Sequence, residues 1–238
     1  MNNKNIASKD RLIFAVDVPD CDQARELVTK LGDAVTFYKI GLELMMSGGY
    51  FDLLAWLLEK DKKVFCDLKF FDIPATVGSA VRQLKDRGAS FVTVHGNQSI
   101  MEAAAENKGD SLKVLGVTVL TSLDRGDLDD LGFACDVEDL VISRARRALE
   151  AGCDGVISSG LEVPKLREHI GQKLLVVTPG IRPVDNKPAG DQKRVVTVET
   201  AFANGADHIV VGRPIRDAAE PRAAAEAIQA TIAAQAAV

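Results

Sequence analysis

The residues best suited to chemistry in this chain lie in one short segment, residues 67–74, with the sequence Asp-Leu-Lys-Phe-Phe-Asp-Ile-Pro. The segment follows an apolar run at residues 64–66, which predicts a buried strand. Charged groups at the end of a buried strand cost free energy unless they pair with one another or act on a substrate. Because side chains alternate along a strand, we expect Asp67 and Lys69 to point to the same side. A carboxylate and an ammonium group held side by side suit chemistry on an ionised small molecule, with a purely structural ion pair as the alternative.

Eight short apolar runs, rich in Val, Ile and Phe, alternate with helical patterns along the chain and must position this segment. We predict strands at residues 12–16, 35–40, 63–67, 91–95, 113–119, 155–158, 174–178 and 208–211. The runs show little polar alternation, which is typical of parallel strands covered on both faces. Eight β-then-α units without a break in composition predict an α/β fold, a (β/α)8 TIM barrel forming a single domain over residues 1–238. A doubly wound open sheet is the alternative.

Most other residues that could bind or react lie at or just after the carboxyl ends of the predicted strands. They are Asp17, Lys39, His95, Thr121, Ser122, Pro179, Arg182, Gly212 and Arg213. In a (β/α)8 barrel the carboxyl ends of all strands meet at one face, where these folds place their active sites. Phosphate sites in such barrels commonly use the loops after strands seven and eight, where Gly180 and Gly212 let backbone amides approach a ligand. Because Arg213 can bind phosphate oxygens through two parallel hydrogen bonds, the pattern predicts a phosphorylated substrate.

A polar segment with glycine and proline, residues 183–194, separates predicted strand seven from the next helix. Its length and position predict a mobile active-site lid. Some of the residues singled out also have structural alternatives. Asp17 could instead cap the helix that begins near Cys21, and Asp72 could serve only the N-terminus of the helix that follows it. His95 suits a ligand contact and a hydrogen-bonded structural role equally well.

The composition argues against several classes of function. A formal net charge of −5 disfavours a nucleic-acid surface, which is normally basic. No apolar run approaches about 18 residues, and residues 1–10 lack the apolar centre of a signal peptide, so we expect neither a membrane span nor secretion. The four cysteines lack C-x-x-C or zinc-like spacing, which favours reduced thiols in a cytoplasmic protein.

Taken together, these motifs resemble the orotidine 5′-phosphate decarboxylase family, and the resemblance covers nearly the whole chain. The family's signature, D-x-K-x-x-D-I-P, stands intact at residues 67–74, and the other matching motifs follow in the family's order at residues 39–41, 118–122, 179–182, 190–194 and 211–213. The resemblance implies a stand-alone enzyme of the bacterial type. Its reaction would be decarboxylation of orotidine 5′-monophosphate to uridine 5′-monophosphate and carbon dioxide, the last step of de novo UMP synthesis, with no metal or cofactor.

The resemblance also implies a role for each matching residue. The implied catalytic residues, an alternating array of charges, are Lys39, Asp67, Lys69 and Asp72. Lys69 matches the residue that stabilises a carbanion at C6 of the pyrimidine and protonates it. The implied substrate-binding residues are Asp17 and Lys39 at the ribose, Thr76 and Thr121 elsewhere on the nucleotide, Ser122 at the pyrimidine, and Arg182, Gln192, Gly212 and Arg213 at the phosphate, which the lid at residues 183–194 would grip. Ile73 and Pro179 also belong to the implied substrate-binding set. Asp72 and Ile73 match residues that enter the site of a second subunit, which implies a homodimer.

Two features depart from the family's pattern. Phe71 replaces a histidine that is common inside the signature of bacterial relatives, and residues 96–99 replace a smaller Ala/Gly-rich turn. Two rival functions also stay open. Sister barrels that decarboxylate or cleave keto sugar phosphates hold magnesium through carboxylates, one of them where this chain has Lys39, and a lysine opposes a cation there. A catalytically inactive nucleotide-binding barrel is the other rival, and the intact signature argues against it.

Overall fold

The computed structural model describes residues 6–182 and 194–236, and these residues build a closed barrel of parallel strands. The strands are β1 (Leu12–Ala15), β2 (Phe37–Gly41), β3 (Lys63–Phe70), β4 (Phe91–His95), β5 (Lys113–Val117), β6 (Gly155–Ile157), β7 (Leu175–Thr178) and β8 (His208–Val211). Each strand pairs with the next along the chain, and β8 closes the barrel against β1. The predicted (β/α)8 barrel is therefore confirmed. The open-sheet alternative is wrong, because an open sheet would leave β1 and β8 unpaired with each other.

Helices follow the strands and cover the outside of the barrel. They are α1 (Cys21–Leu31), α2 (Leu42–Ser47), α3 (Tyr50–Glu59), α4 (Pro74–Lys85), α5 (Gln98–Asn107), α6 (Arg125–Asp130), α7 (Val137–Glu150), α8 (Val163–Ile170), α9 (Val198–Ala203), α10 (Arg213–Arg216) and α11 (Pro221–Ala236). A short 3-10 helix, Ser8–Arg11, precedes β1. None of the helices described here is long and apolar enough to cross a bilayer.

The strands bury residues on both faces, which explains why the sequence shows so little polar alternation. Inward-facing side chains such as Ile13, Phe37 and Phe91 fill the barrel interior. Their neighbours along the strands, such as Phe14 and Tyr38, pack outward into the layer between strands and helices. This double packing fixes the strands, and it therefore fixes the positions of the residues that follow them.

Strand β3 differs most from its predicted boundaries, because it continues to Phe70 instead of ending at residue 67. Its pairing with β4 is irregular. Cys66 pairs with Val92, but the next pair is Phe70 with Val94, so β3 advances four residues while β4 advances two. This bulge lies within the segment that carries the charged residues.

Candidate functional site

A cavity of about 650 Å³ opens at the carboxyl ends of the strands. Its wall includes nine of the predicted site residues: Asp17, Lys39, Asp67, Lys69, Thr121, Pro179, Arg182, Gly212 and Arg213. Apolar side chains, among them Phe65, Val117 and Ile157, form the rest of the wall next to the barrel interior. A concave site with an apolar base and a few convergent charged groups is the usual form of a small-molecule site.

Four of these residues form a row of alternating charge, which we call the charge array: Asp17, Lys39, Asp67 and Lys69. Lys39 Nζ lies 3.1 Å from Asp17 Oδ1 and 3.4 Å from Asp67 Oδ2. Lys69 Nζ donates to Asp67 Oδ1 at 2.8 Å. Each charge in the row has a neighbour of opposite sign, so the array can remain ionised although its centre is buried.

Burial and charge act in opposite directions on the central pair of the array. Burial by itself would raise the pKa of the Asp67 carboxyl, but the nearby Lys39 and Lys69 ammonium groups, with hydrogen bonds from Lys69 and Thr93, hold that pKa below its ordinary value. Burial would likewise lower the pKa of Lys39, but the Asp67 and Asp17 carboxylates raise it above its ordinary value. Both groups are therefore charged at neutral pH.

The helix-capping alternative for Asp17 is wrong. Asp20, not Asp17, occupies the N-cap of α1, where its side chain accepts hydrogen bonds from the backbone N–H groups of Asp22 and Gln23. The Asp17 carboxylate instead turns to Lys39 and the cavity.

The loops after β7 and β8 leave room for a ligand next to the backbone. Gly180 has φ of 80°, in the left-handed region that favours glycine. Gly212 lies beside the charge array, since a Cβ on it would be 3.5 Å from the Cβ of Ala15 and 3.8 Å from Asp17 Oδ2. Arg213 follows directly, and its guanidinium suits bidentate contacts to phosphate oxygens.

Of the other predicted site residues that the structure describes, none lines the cavity. Ile73 is 66% exposed, and Asp72 and Thr76 are also exposed on the same stretch. The Asp72 carboxylate accepts a hydrogen bond from the Ile73 N–H at 2.6 Å. Ser122 is partly exposed next to Thr121, outside the cavity wall. Gln192 and most of the predicted lid, residues 183–193, lie outside the described residues.

His95 lies at the end of β4 and stacks on Phe71, with the two ring centroids 4.6 Å apart. Burial, Arg144 and Lys69 lower the pKa of His95. The turn after it requires glycine, because a Cβ on Gly96 would lie 2.5 Å from the carbonyl oxygen of Val117. The two departures from the family's pattern therefore lie near one another, through the contact between Phe71 and His95.

Two residues that the sequence reasoning missed also belong to the site. Arg216 lines the cavity and donates from Nη1 to the carbonyl oxygen of Asp17 at 2.6 Å. Its position three residues after Arg213 places it one helical turn away, a spacing that could have identified it. Thr93, on β4, is fully buried and donates to Asp67 Oδ1 at 2.8 Å. Nothing in the sequence around Thr93 distinguishes it from an ordinary strand threonine.

Comparison with known proteins points in one direction. The family described as orotidine 5′-phosphate decarboxylase / HUMPS matches residues 10–228. A relative from Methylococcus capsulatus, named orotidine 5′-phosphate decarboxylase, is 68% identical over 98% of this chain and 96% of its own length. A relative of the same name from Xanthomonas axonopodis is 52% identical over 95% of this chain and 93% of its own. The crystal structure of orotidine 5′-phosphate decarboxylase from Lactobacillus acidophilus superposes with a TM-score of 0.82, at 37% identity, covering 93% of this chain and 98% of that one.

Proposed function

The chain belongs to the orotidine 5′-phosphate decarboxylase / HUMPS family, and from this premise we propose that it converts orotidine 5′-monophosphate to uridine 5′-monophosphate and carbon dioxide. This reaction is the last step of de novo UMP synthesis. The charge array carries the proposal, because it sets an ammonium group beside a buried carboxylate in a cavity next to loops suited to phosphate. The name shared by the relatives from Methylococcus capsulatus and Xanthomonas axonopodis supports the same reaction.

Lys69 is the proposed carbanion stabiliser and proton donor. When the bond between C6 and the carboxyl group breaks, carbon dioxide leaves and the electron pair stays on C6 of the pyrimidine. A preorganised positive charge at that carbon lowers the barrier, because it meets the developing negative charge without reorganising solvent. The Lys69 ammonium group then transfers its proton to C6 and becomes a neutral amine.

Asp67 is proposed to lie near the carboxylate of the bound substrate. Two like charges about 4 Å apart repel by roughly 1 kcal/mol in water and roughly 4 kcal/mol at an effective dielectric constant of 20. Loss of carbon dioxide would relieve this repulsion. We assign the larger effect to Lys69, because its interaction with the substrate strengthens as the transition state forms. Lys39, 3.4 Å from Asp67, keeps Asp67 ionised and in place.

The ribose and phosphate of the substrate, which do not react, are proposed to bind at the rim of the cavity. Asp17 and Lys39 are proposed to bind the ribose hydroxyls, and Thr121, Ser122 and Thr76 the rest of the nucleoside. Arg182, Gln192, Gly212 and Arg213 are proposed to bind the phosphate, with residues 183–194 closing over it, and Pro179 is proposed to contact the substrate from the cavity wall. Binding energy from the phosphate would then be used to assemble the site around the reacting carbon.

We further propose a homodimer in which Asp72 and Ile73 enter the neighbouring site. In one chain, Asp72 lies outside the cavity that holds the other charged residues, and Ile73 is exposed. Phe71, beside them, is also 65% exposed. Large apolar side chains together on a surface commonly mark an interface. A second subunit would bury them and deliver Asp72 to the partner's charge array.

The proposed reaction needs no metal or cofactor, because the charge array supplies the charge that acts on the reacting carbon. The proposal includes no nucleic-acid or membrane partner. It places the protein in the cytoplasm, and the free thiols of Cys21, Cys66, Cys135 and Cys153 support that location.

The test is an absorbance assay with purified protein that has been treated with EDTA. We expect orotidine 5′-monophosphate to lose its orotate chromophore and uridine 5′-monophosphate to appear as the product. Turnover restricted to a keto sugar phosphate and dependent on magnesium would assign the chain to the sister activity instead. Tight nucleotide binding without turnover of either substrate would favour a regulatory barrel.

A further inference from the structure

The ladder between β3 and β4 breaks at the charge array. Between the pairs Cys66–Val92 and Phe70–Val94, three residues of β3 face the single residue Thr93 of β4. Within this bulge Lys69 has φ of 46°, in the left-handed region that a side chain other than glycine rarely adopts. A conformation of this kind persists only where the surrounding structure holds it.

The Thr93 hydroxyl fills the gap in the ladder. Its oxygen accepts a hydrogen bond from the backbone N–H of Lys69 at 3.0 Å. Its proton is donated to Asp67 Oδ1 at 2.8 Å. A hydroxyl has one proton and can also accept, so these two bonds fit its capacity. One fully buried group therefore holds both the strained backbone of the lysine and the carboxylate of the aspartate.

The same carboxylate oxygen also accepts a hydrogen bond from Lys69 Nζ at 2.8 Å, so the three residues form a closed ring of contacts. Thr93 fixes the Lys69 backbone, the Lys69 ammonium group contacts Asp67, and Asp67 is fixed by Thr93. Moving any one member changes the geometry of the other two. A valine at position 93 would keep the packing volume but leave the Lys69 N–H without this acceptor and Asp67 without this donor.

We propose that Thr93 is a positioning residue for decarboxylation, one that holds the Lys69 backbone and the Asp67 carboxylate in the arrangement the reaction needs. This inference rests on the proposed function. Thr93 is not a catalytic residue in this account, because it does not line the cavity and acts only through Lys69 and Asp67.

Loss of the Thr93 hydroxyl should change the pH dependence of turnover as well as its rate. The charged groups that act on Asp67 are Lys39 on β2 and Lys69 on β3 itself, with Asp17 beyond Lys39. Tyr50 and Cys66 are also close: burial raises the pKa of each, and the Asp67 carboxylate raises it further. The Thr93 hydrogen bond is among the contacts that lower the pKa of Asp67, so its loss raises that pKa. The acid limb of the kcat/KM profile should therefore move to higher pH in Thr93→Val.

The decisive experiment compares three variants with the wild type, which must first turn over orotidine 5′-monophosphate. Thr93→Val should lower kcat roughly 10- to 100-fold, the worth of a hydrogen bond to a charged group, with a smaller change in uridine 5′-monophosphate affinity. Thr93→Ser keeps the hydroxyl, so its kcat should stay within about threefold of wild type, with an unmoved acid limb.

Thr118→Val is the matched control, since Thr118 is also buried and donates its hydroxyl at 2.7 Å, but to the carbonyl oxygen of Ile157. It should lose stability without moving the acid limb.

Each outcome separates the inference from the proposed function. An inactive wild type would overturn the proposed function and, with it, this inference. If the wild type is active and Thr93→Val has the same kcat and the same pH profile, the inference is overturned but the proposed function stands. If Thr93→Val fails to fold, Thr93→Ser decides. A folded Thr93→Ser with a tenfold loss of kcat would show that the hydroxyl is not what matters, and near wild-type activity with an unmoved acid limb would support the inference.

Discussion

Arg194 and Glu162 form a largely buried ion pair, with Nη1 2.5 Å from Oε1. Glu162 lies between β6 and α8, and Arg194 precedes α9. Arg194 also donates from Nη2 to the carbonyl oxygens of Val119 at 3.3 Å and Leu120 at 2.9 Å. One guanidinium thus ties the start of residues 194–236 to the loops after β5 and β6, and Leu120 lines the cavity.

We expect that Glu162→Ala destabilises the fold by about 3 kcal/mol or more, because it leaves the Arg194 charge buried without its partner. The double variant Glu162→Leu/Arg194→Met removes both charges and should be more stable than Glu162→Ala. Urea denaturation of the three proteins at one pH measures the difference. Equal stability of Glu162→Ala and the wild type would show that the pair is not important for folding.

Arg213→Ala should lower kcat/KM roughly 100-fold or more, because it removes a charge-assisted pair of hydrogen bonds to the proposed phosphate. With orotidine, which lacks the phosphate, added phosphite should activate the wild type more than the variant. Arg222→Ala is the control, since Arg222 lies on α11 and pairs with Asp33 and Glu226 away from the cavity. Arg213→Ala with the kinetics of that control would remove Arg213 from the phosphate site.

The proposed exchange of Asp72 between subunits predicts complementation. Lys69→Ala and Asp72→Asn should each be nearly inactive alone, but a one-to-one mixture should form some dimers with one complete site. If subunits exchange at random, about a quarter of the wild-type number of sites becomes active. The assay is turnover by the mixture after subunit exchange. Absence of any regained activity, in a mixture shown to contain mixed dimers, would mean that Asp72 acts within its own chain or not at all.

His208 predicts a loss of stability in acid. Burial at the amino-terminal end of the barrel lowers the pKa of His208 from 6.5 to about 4. Between about pH 6.5 and pH 4 the histidine is protonated in the unfolded chain but neutral in the folded chain. The free energy of unfolding therefore falls as the pH drops from 6.5 towards 4, by up to about 3 kcal/mol.

His208→Asn keeps a side-chain donor for the carbonyl oxygen of Asp10, 2.8 Å from Nδ1, and does not titrate. Urea denaturation of both proteins at pH 7 and pH 4.5 isolates the contribution of the histidine, because the carboxylates are common to both. The free energy of unfolding of the wild type, relative to that of the variant, should be smaller at pH 4.5 than at pH 7. If the two proteins differ in unfolding free energy by the same amount at both pH values, His208 is not the cause of the acid sensitivity.

The barrel itself could be predicted because parallel strands covered on both faces leave continuous apolar runs in the sequence. The same reasoning located most of the cavity, since Asp17, Lys39 and Asp67 lie at or just after the ends of apolar runs that the fold brings to one face. Bulges are different, because they depend on how two distant segments pair. No glycine marks the left-handed residue of β3, which is Lys69.

Other parts of the site were hidden for similar reasons. In the sequence, Thr93 looks like an ordinary β-branched strand residue. Its contacts to Lys69 and Asp67 become visible only in the structure, where the bulge of β3 faces it. Glu162 and Arg194 are far apart in sequence, and only the closed barrel brings them together. Only the likeness of this chain to its family led us to propose a role for Asp72 and Ile73 across a subunit boundary, because no single-chain pattern can indicate one.

The central claim is that Lys69 stabilises and protonates the carbanion, and its most direct test is the turnover of Lys69→Ala. This variant should bind uridine 5′-monophosphate with an affinity within about tenfold of wild type, because Lys69 is proposed to act at the reacting carbon. Its kcat for orotidine 5′-monophosphate should fall by at least about 10⁴-fold, because electrostatic stabilisation and proton donation are lost together. Turnover within tenfold of wild type, by a variant that folds and binds nucleotide, would contradict the account.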